Sequence, residues 1–423
     1  MARPEPPPLR LHRWNAPAVL AIAACAFASG FGQFGALAAL GDVAGGFGHA
    51  THGATIAEQA GLSGTELGVG LAIIRLASVG GFPLSAAADR LGRRTTLLAT
   101  AAGGLALTVV AAASPGYWWF VAIFAAGRPL LSATNALAQV AGAEQTASSQ
   151  RTRALALISA GYAAGAGLTA VLHGLARHAL GFRGLFALAV LPLALLPLVA
   201  RWLEEPDRFL RTAGEQLRPA FVVGAVGAPY RWRLVRISAL LFAVSVVTGP
   251  ANSFAFLYAQ NVVHLAGTAT AAMVVAAGGL GLVGLVAGRW LADHWGRRPT
   301  CAAAMVAMAA TGIAAYSGGK VVFVCGYVAG VTAGAVFAPG AGALINELFP
   351  TSVRAAAAGW QIAAGVAGAV VGLVAFGAVA DVGNRFGFAA LVTFAPMAAA
   401  ALGFATLPET AGREPESLWP AAD

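Results

Sequence analysis

Asp89-Arg90-Leu91-Gly92-Arg93-Arg94 returns 204 residues later as Asp293-His294-Trp295-Gly296-Arg297-Arg298, and each copy closes a long apolar run. The echo stays in register beyond the hexapeptide. Glu144 and Arg151 recur as Glu347 and Arg354, offset by 203, and Glu205 recurs as Glu409, offset by 204. Charges that repeat at matched positions between apolar segments mark the duplication of one membrane unit. Any site is then expected where the two copies meet.

Composition agrees with that reading. Only 10 % of the 423 residues are charged and 58 % are apolar, whereas a soluble domain carries about 25 % charged residues. The net charge of +9 is not that of a nucleic-acid binder, because the arginines sit in short clusters between uncharged runs, the pattern of membrane-protein loops. Cys25, Cys301 and Cys325 lie in apolar stretches without paired spacing, which supports neither a disulfide framework nor a metal site. No nucleophile–base pair or phosphate loop stands out, so neither an enzyme nor a cofactor is expected.

A helix needs about 20 apolar residues to cross the hydrocarbon core. The runs between charges fit twelve crossings, at 16–41, 62–86, 95–113, 117–139, 154–176, 183–203, 234–260, 268–289, 300–318, 321–345, 356–380 and 387–406. The first run is too long for a signal-peptide core and reads as a retained span. Ile237 to Gly288 holds no Asp, Glu, Lys or Arg in 52 residues, so it is split at Asn261-Val262-Val263-His264 and Gly267. Orientation follows from the basic residues. With the N-terminus inside, about 20 lie in cytoplasmic segments and four outside, so both termini are expected in the cytoplasm. The expected organisation is a six-helix bundle over 1–203, a linker over 204–233 containing three prolines, a second bundle over 234–406 and a tail over 407–423.

The loop Asp89-Arg90-x-Gly92-Arg93-Arg94 resembles the signature loop of the major facilitator superfamily, and its weaker copy at 293–298 stands where that family repeats it. The remaining cytoplasmic pieces are similar to the sugar-porter and metabolite-symporter branch. Glu144-x6-Arg151 and Glu347-Leu348-Phe349-Pro350-Thr351-x-x-Arg354 resemble its Glu…Arg loops, and Pro408-Glu409-Thr410-x-Gly412-Arg413 its C-terminal motif. Glu204-Glu205-Pro206-x-Arg208 is a looser version of its motif after the sixth span. Departures are visible too. Ser85 and Arg289 stand where the signature loop has Gly, His294 replaces an Arg, and Ser245-Val246 replace the paired glutamines of the sugar site. The resemblance implies an all-α membrane protein, twelve transmembrane helices in two pseudo-symmetric six-helix bundles, which moves a small molecule by alternating access. A multi-pass monomer in the plasma (inner) membrane is expected, with lipid around it and no nucleic-acid partner.

Several residues carry the expected mechanism. Asp89, Arg90, Gly92, Arg93 and Arg94 with Glu144 and Arg151, and Asp293, Gly296, Arg297 and Arg298 with Glu347 and Arg354, form the expected gating network that holds the halves closed on the inside. Arg75 and Arg128 lie inside spans, where a charge costs roughly 2.5–3.5 kcal/mol on insertion scales and is a functional hypothesis by default. Arg75 is 14 residues from Asp89 and Arg128 is 16 from Glu144, so the two share a depth. Arg128 also resembles the fourth-span arginine of the superfamily, which implies a cavity-lining role.

Gln33, Asn135, Asn252 and Tyr258 are the polar candidates for substrate contact, with Gln139 and Gln361 beside them. No Asp or Glu lies deep in a span. A proton would therefore titrate at Asp42 or Glu66 near the outer rim; otherwise the protein is a uniporter or exchanger, or a proton travels with an anionic substrate. His173 reads as a core histidine. The arginines favour a small polar or anionic metabolite. The rivals are a drug/proton antiporter, weakened because Ala166 rather than Pro follows Gly161-x-x-x-Gly165, and a transporter-like receptor, for which the linker and tail are short.

Overall fold

A computed structural model describes residues 11–49, 56–207, 210, 227–383 and 385–413. Twelve helices in it are long and apolar enough to cross a membrane. They are α1 Pro17–Ala38, α2 Gly64–Leu91, α3 Arg93–Ala111, α4 Tyr117–Gln145, α5 Ser149–Arg177 and α6 Ala179–Val199. The second set is α7 Pro229–Val262, α8 Gly267–His294, α9 Arg297–Ser317, α10 Lys320–Ile345, α11 Ala357–Val382 and α12 Phe386–Thr406. Every expected span finds its helix. Several run past the apolar segment: α2 continues to Leu91, α4 to Gln145, and α5 starts at Ser149. Backbone hydrogen bonds keep the helix going where side chains turn polar, so hydropathy marks the hydrocarbon and not the helix end.

The chain breaks where the sequence supplies a reason. The long helix Ser148–Ala187, which holds α5 and the start of α6, is kinked at Gly181, at φ 56°. α7 runs through Pro250 to Ser253, is interrupted at Phe254, resumes over Ala255–Leu257 and ends in a π-turn at Tyr258–Val262 before His264 at φ 50°. In α2 a 3₁₀ turn at Ser78–Gly80 lies against Pro129 of α4, and the missing side chain at Gly81 lets the Pro129 carbonyl approach. Arg75 therefore lies three residues before the 3₁₀ turn and Arg128 directly before the proline packed against it, which puts the two at a similar level.

Small residues set the closest packing. Gly161 and Gly165 of α5 face the Ala23 and Phe27 carbonyls of α1, and Gly368 and Gly372 of α11 face the Phe242 and Val246 carbonyls of α7. Gly284 and Gly288 of α8 likewise meet Thr332 and Val336 of α10. Without a hydrophobic drive between helices in lipid, such backbone approach is the main source of association.

The halves meet at the end opposite the charged motifs, here termed the far end. Gly64 and Gly68 of α2 abut the Gly377 and Leu373 carbonyls of α11, and Gly174 of α5 abuts Gly267 of α8. Asp381 of α11 accepts hydrogen bonds from the Gly64 and Thr65 N–H groups at 2.7 and 2.8 Å and from the Thr65 hydroxyl at 2.5 Å. One half thus caps a helix of the other.

Candidate functional site

At the motif end, Gly92 and Gly296 adopt φ 96° and 111°, with ψ near 150°, a region essentially reserved for glycine. The turn starts α3 and α9 abruptly, leaving their first N–H groups unpaired within the helix. A remote carboxylate takes them. Glu205 accepts from the Arg93 and Arg94 amides, the latter at 3.0 Å. Glu409 accepts from the Arg297 and Arg298 amides at 3.0 and 3.1 Å. A Cβ on either glycine would stand about 3 Å from that carboxylate. Burial opposes ionisation of Glu409, but N–H bonds from Ala411, Arg298, Arg297 and Thr410 outweigh it and hold the carboxyl below its usual range.

The side chains complete the expected network unevenly. Arg93 is nearly buried, 2.5 Å from Asp89 and 3.2 Å from Glu144. Arg297 pairs with Glu347 and donates to the Thr410 hydroxyl at 2.9 Å. Asp293 instead turns to Arg289, 3.9 Å away and well exposed. Arg94 and Arg298 donate to the Ala200 and Ala405 carbonyls. Arg90 is exposed, and Arg151 makes no ion pair among the described residues. Arg354 stands on the turn leading into α11, and its side chain lies outside those described. Each of these ion pairs lies within one half, and those of Arg93 and Arg297 join helices there. The network expected to bridge the halves ties each half together in this state, because the halves meet at the far end.

Between the halves lies a cavity of two adjoining lobes, about 250 and 270 Å³, which share Gln33, Arg75 and Arg128. The central lobe adds Ser245, Thr248 and Asn252 from α7, and the motif-side lobe adds Ser85, Ser132, Asn135 and Tyr162. Among the described residues no Asp or Glu lines either lobe, and the two arginines are its only charged walls. Arg128 donates to the Gln33 carbonyl at 3.4 Å while its buried Nε has no partner, and the buried Asn135 Oδ1 is also unpartnered. Gln33 is held by Ser29 at 2.8 Å, and Asn252 donates to the Thr248 carbonyl at 2.8 Å. Such a site offers guanidinium donors and hydroxyls to a small acceptor-rich solute.

Not every candidate reaches the cavity. Tyr258 donates to the Gly318 carbonyl at 3.1 Å and packs among Tyr316, Phe323 and Phe386, away from the lining residues. Asn252 and Tyr258 are six residues apart, so an ideal helix already turns them about 120° from one another. Glu66 forms a capping box with Ser63 at the start of α2. Asp42 contacts His173 at 2.7 Å. Gln361 is buried outside the lining set with both amide atoms unpartnered. Sequence reasoning missed Ser132, Tyr162 and Thr248, whose types are too common in spans to stand out. For Ser85 the signal was present, as a departure from the signature loop. A larger groove of about 690 Å³ between α8, α9 and α10 is almost wholly apolar.

The sequence matches the family model of the Major Facilitator Superfamily over residues 20–320. No curated protein matches the chain. In fold it is similar to the inward open conformation of the xylose transporter XylE from E. coli, at TM-score 0.73 and 18 % identity, covering 95 % of this chain and 99 % of that one. It is also similar to the nucleoside transporter NupG, at TM-score 0.69 and 14 % identity over 92 % and 98 % of the chains. A bacterial homologue of the human lysosomal transporter Spinster, inward-facing and occupied, aligns at TM-score 0.70 and 13 % identity over 96 % and 98 %. At such identities the likeness carries the fold alone. With the duplicated motifs, the twelve helices and the family match together, the chain is a multi-pass membrane protein of the Major Facilitator Superfamily, a family of transporters and not of enzymes.

Proposed function

We propose that this protein is a secondary transporter of a small polar or anionic organic metabolite, working by alternating access between the halves. The observation that carries the reading is the pair Arg75 and Arg128 in an inter-half cavity whose lining holds no carboxylate. Two fixed cations there repel a lipophilic cation and attract a carboxylate or phosphate, in a setting where charge-assisted bonds are roughly twice as strong as neutral ones. Gln33, Asn135 and Asn252 would orient the solute. Ser245-Val246, where sugar porters carry paired glutamines, removes the amide ladder a sugar would use. The motif loops would face the cytoplasm of a plasma-membrane transporter, their networks loosening as the halves rock, with a proton as candidate co-substrate.

Ligand-induced thermal stabilisation of the purified protein tests this, because any solute that binds the folded state raises its melting temperature. Stabilisation is expected from organic carboxylates and not from sugars or lipophilic cations. Loss of one charged hydrogen bond costs about 1.5–3 kcal/mol, so Arg128→Ala should weaken carboxylate affinity roughly 10- to 100-fold. Stabilisation by lipophilic cations alone, unchanged in Arg128→Ala, would move the reading to drug/proton antiport.

A further inference from the structure

The buried polar group that the solute cavity leaves unused lies in the far-end seam. His173 of α5 is 1 % exposed, and its Nε2 stands 2.7 Å from Asp42 Oδ2. Its other nitrogen, Nδ1, faces Gln260 Nε2 at 3.2 Å across the seam. Asp42 and His173 belong to the first half and Gln260 to the second, on the π-turn that ends α7. Gly41 leaves the room, since a side chain there would run into the Gln260 amide. Asn261 beside it donates to the Gln59 carbonyl at 3.1 Å, also across the seam.

Hydrogen-bond accounting gives this chain a direction. With Gln260 Nε2 toward it, Nδ1 must be the acceptor, so Nε2–H is donated to Asp42 and the imidazole is neutral. The buried Gln260 Oε1 then has no partner. Amide orientation follows the network. Adding a proton at Nδ1 and turning the amide over pairs Nδ1–H with Oε1, leaves an imidazolium against the Asp42 carboxylate, and satisfies the orphaned oxygen while turning the amide nitrogen to the position it left. The bond that crosses the seam becomes charge-assisted.

Few other charges bear on the site. Arg177 lies one turn along α5, Glu58 is on the short helix Ile56–Ala60, and His264 contacts the Gln260 carbonyl at 3.2 Å. Asp381 and Glu66 are engaged at the start of α2. Neighbouring parts of α1 and α8 carry no charged residue.

We infer that Asp42, His173 and Gln260 form a proton-binding site that clamps the far-end seam shut when occupied. The proton enters at His173 Nδ1 from far-side solvent while the seam is open, and the seam closes on it. This rests on the alternating-access reading and assigns the proton a place apart from the solute cavity. Histidine is the side chain whose charge changes near physiological pH, so alkaline conditions should release the clamp.

The test is a pulsed-EPR distance across the far end of the full-length protein in lipid nanodiscs, between labels at Trp119→Cys and Val321→Cys. Both positions are exposed, at 64 % and 75 %, and Cys325→Ser removes the exposed native thiol. The open population is expected to rise severalfold from pH 5.5 to pH 8. It should become pH-independent in His173→Gln, which keeps an amide at the seam, and in Asp42→Asn. Superimposable pH profiles for the parent and His173→Gln would overturn the proposal while leaving alternating access intact. A single closed distance in the parent at every pH would overturn both.

Discussion

The two motif ends share a backbone and differ in their charges. Each has a glycine at positive φ and a carboxylate from just past the bundle's last helix, bonded to the first two amides of the helix that follows. In the first half, Arg93 sits between Asp89 and Glu144. In the second, Arg297 keeps Glu347, but Asp293 has turned outward to an exposed Arg289. Duplication preserved what the turn requires and let the ion pairs diverge. Turn and cap are therefore the structural element of the motif, and the triad around Arg93 is where we propose the conformational role.

The strongest way to break the shared part is to add one carbon. Gly92→Ala and Gly296→Ala each force a side chain into a glycine-only region, at a cost of about 1–3 kcal/mol, and press it against Glu205 or Glu409. Similar drops in melting temperature are expected for both; a fall in only one would mean that the turns are not equivalent.

The unshared part is separated by Asp89→Asn and Asp293→Asn. Uptake into proteoliposomes should fall about tenfold or more for the first, equivalent to about 1.4 kcal/mol, and stay within about twofold for the second, at normal expression. Equal losses would assign the function to the loop and not to the Arg93 triad.

The smallest effect concerns the caps. Glu205→Gln and Glu409→Gln should each cost about 1 kcal/mol, the usual scale for a lost N-cap. Because the Glu409 carboxyl is held below its ordinary range, its contribution is complete above that range and is lost as pH falls through the lowered value. Melting temperature measured from pH 6 to pH 3 should thus decline less steeply in Glu409→Gln than in the parent.

How much of this was legible follows from which residues are rare. Charges are so sparse that Asp89, Arg93 and Glu144 could be matched to Asp293, Arg297 and Glu347 by register alone, and hydropathy located all twelve helices. Arg75 and Arg128 were legible because the membrane makes a buried charge costly. The cap was not: Glu205 reaches residues 111 and 112 positions away, and register shows that a residue repeats without showing what it touches. Nor could sequence bring His173 to Asp42 and Gln260, since a lone histidine in an apolar helix has no periodic partner. Tyr258 misled because its type suits a binding site, whereas helix phase and the π-turn carry it into an aromatic core.

The glycine contacts at the far end have a mechanical consequence. Gly64 against Gly377, Gly68 against the Leu373 carbonyl and Gly174 against Gly267 put main chain on main chain at these three points. Such a surface works as a bearing and not as a zipper. Rolling along it would cost little until the polar links, at Asp381 and at Gln260 with Asn261, and the ring contact of Phe34 with Phe256 let go. Turnover would then be governed by these few small latches on an otherwise smooth joint, and a methyl group at Gly377 would jam it like grit.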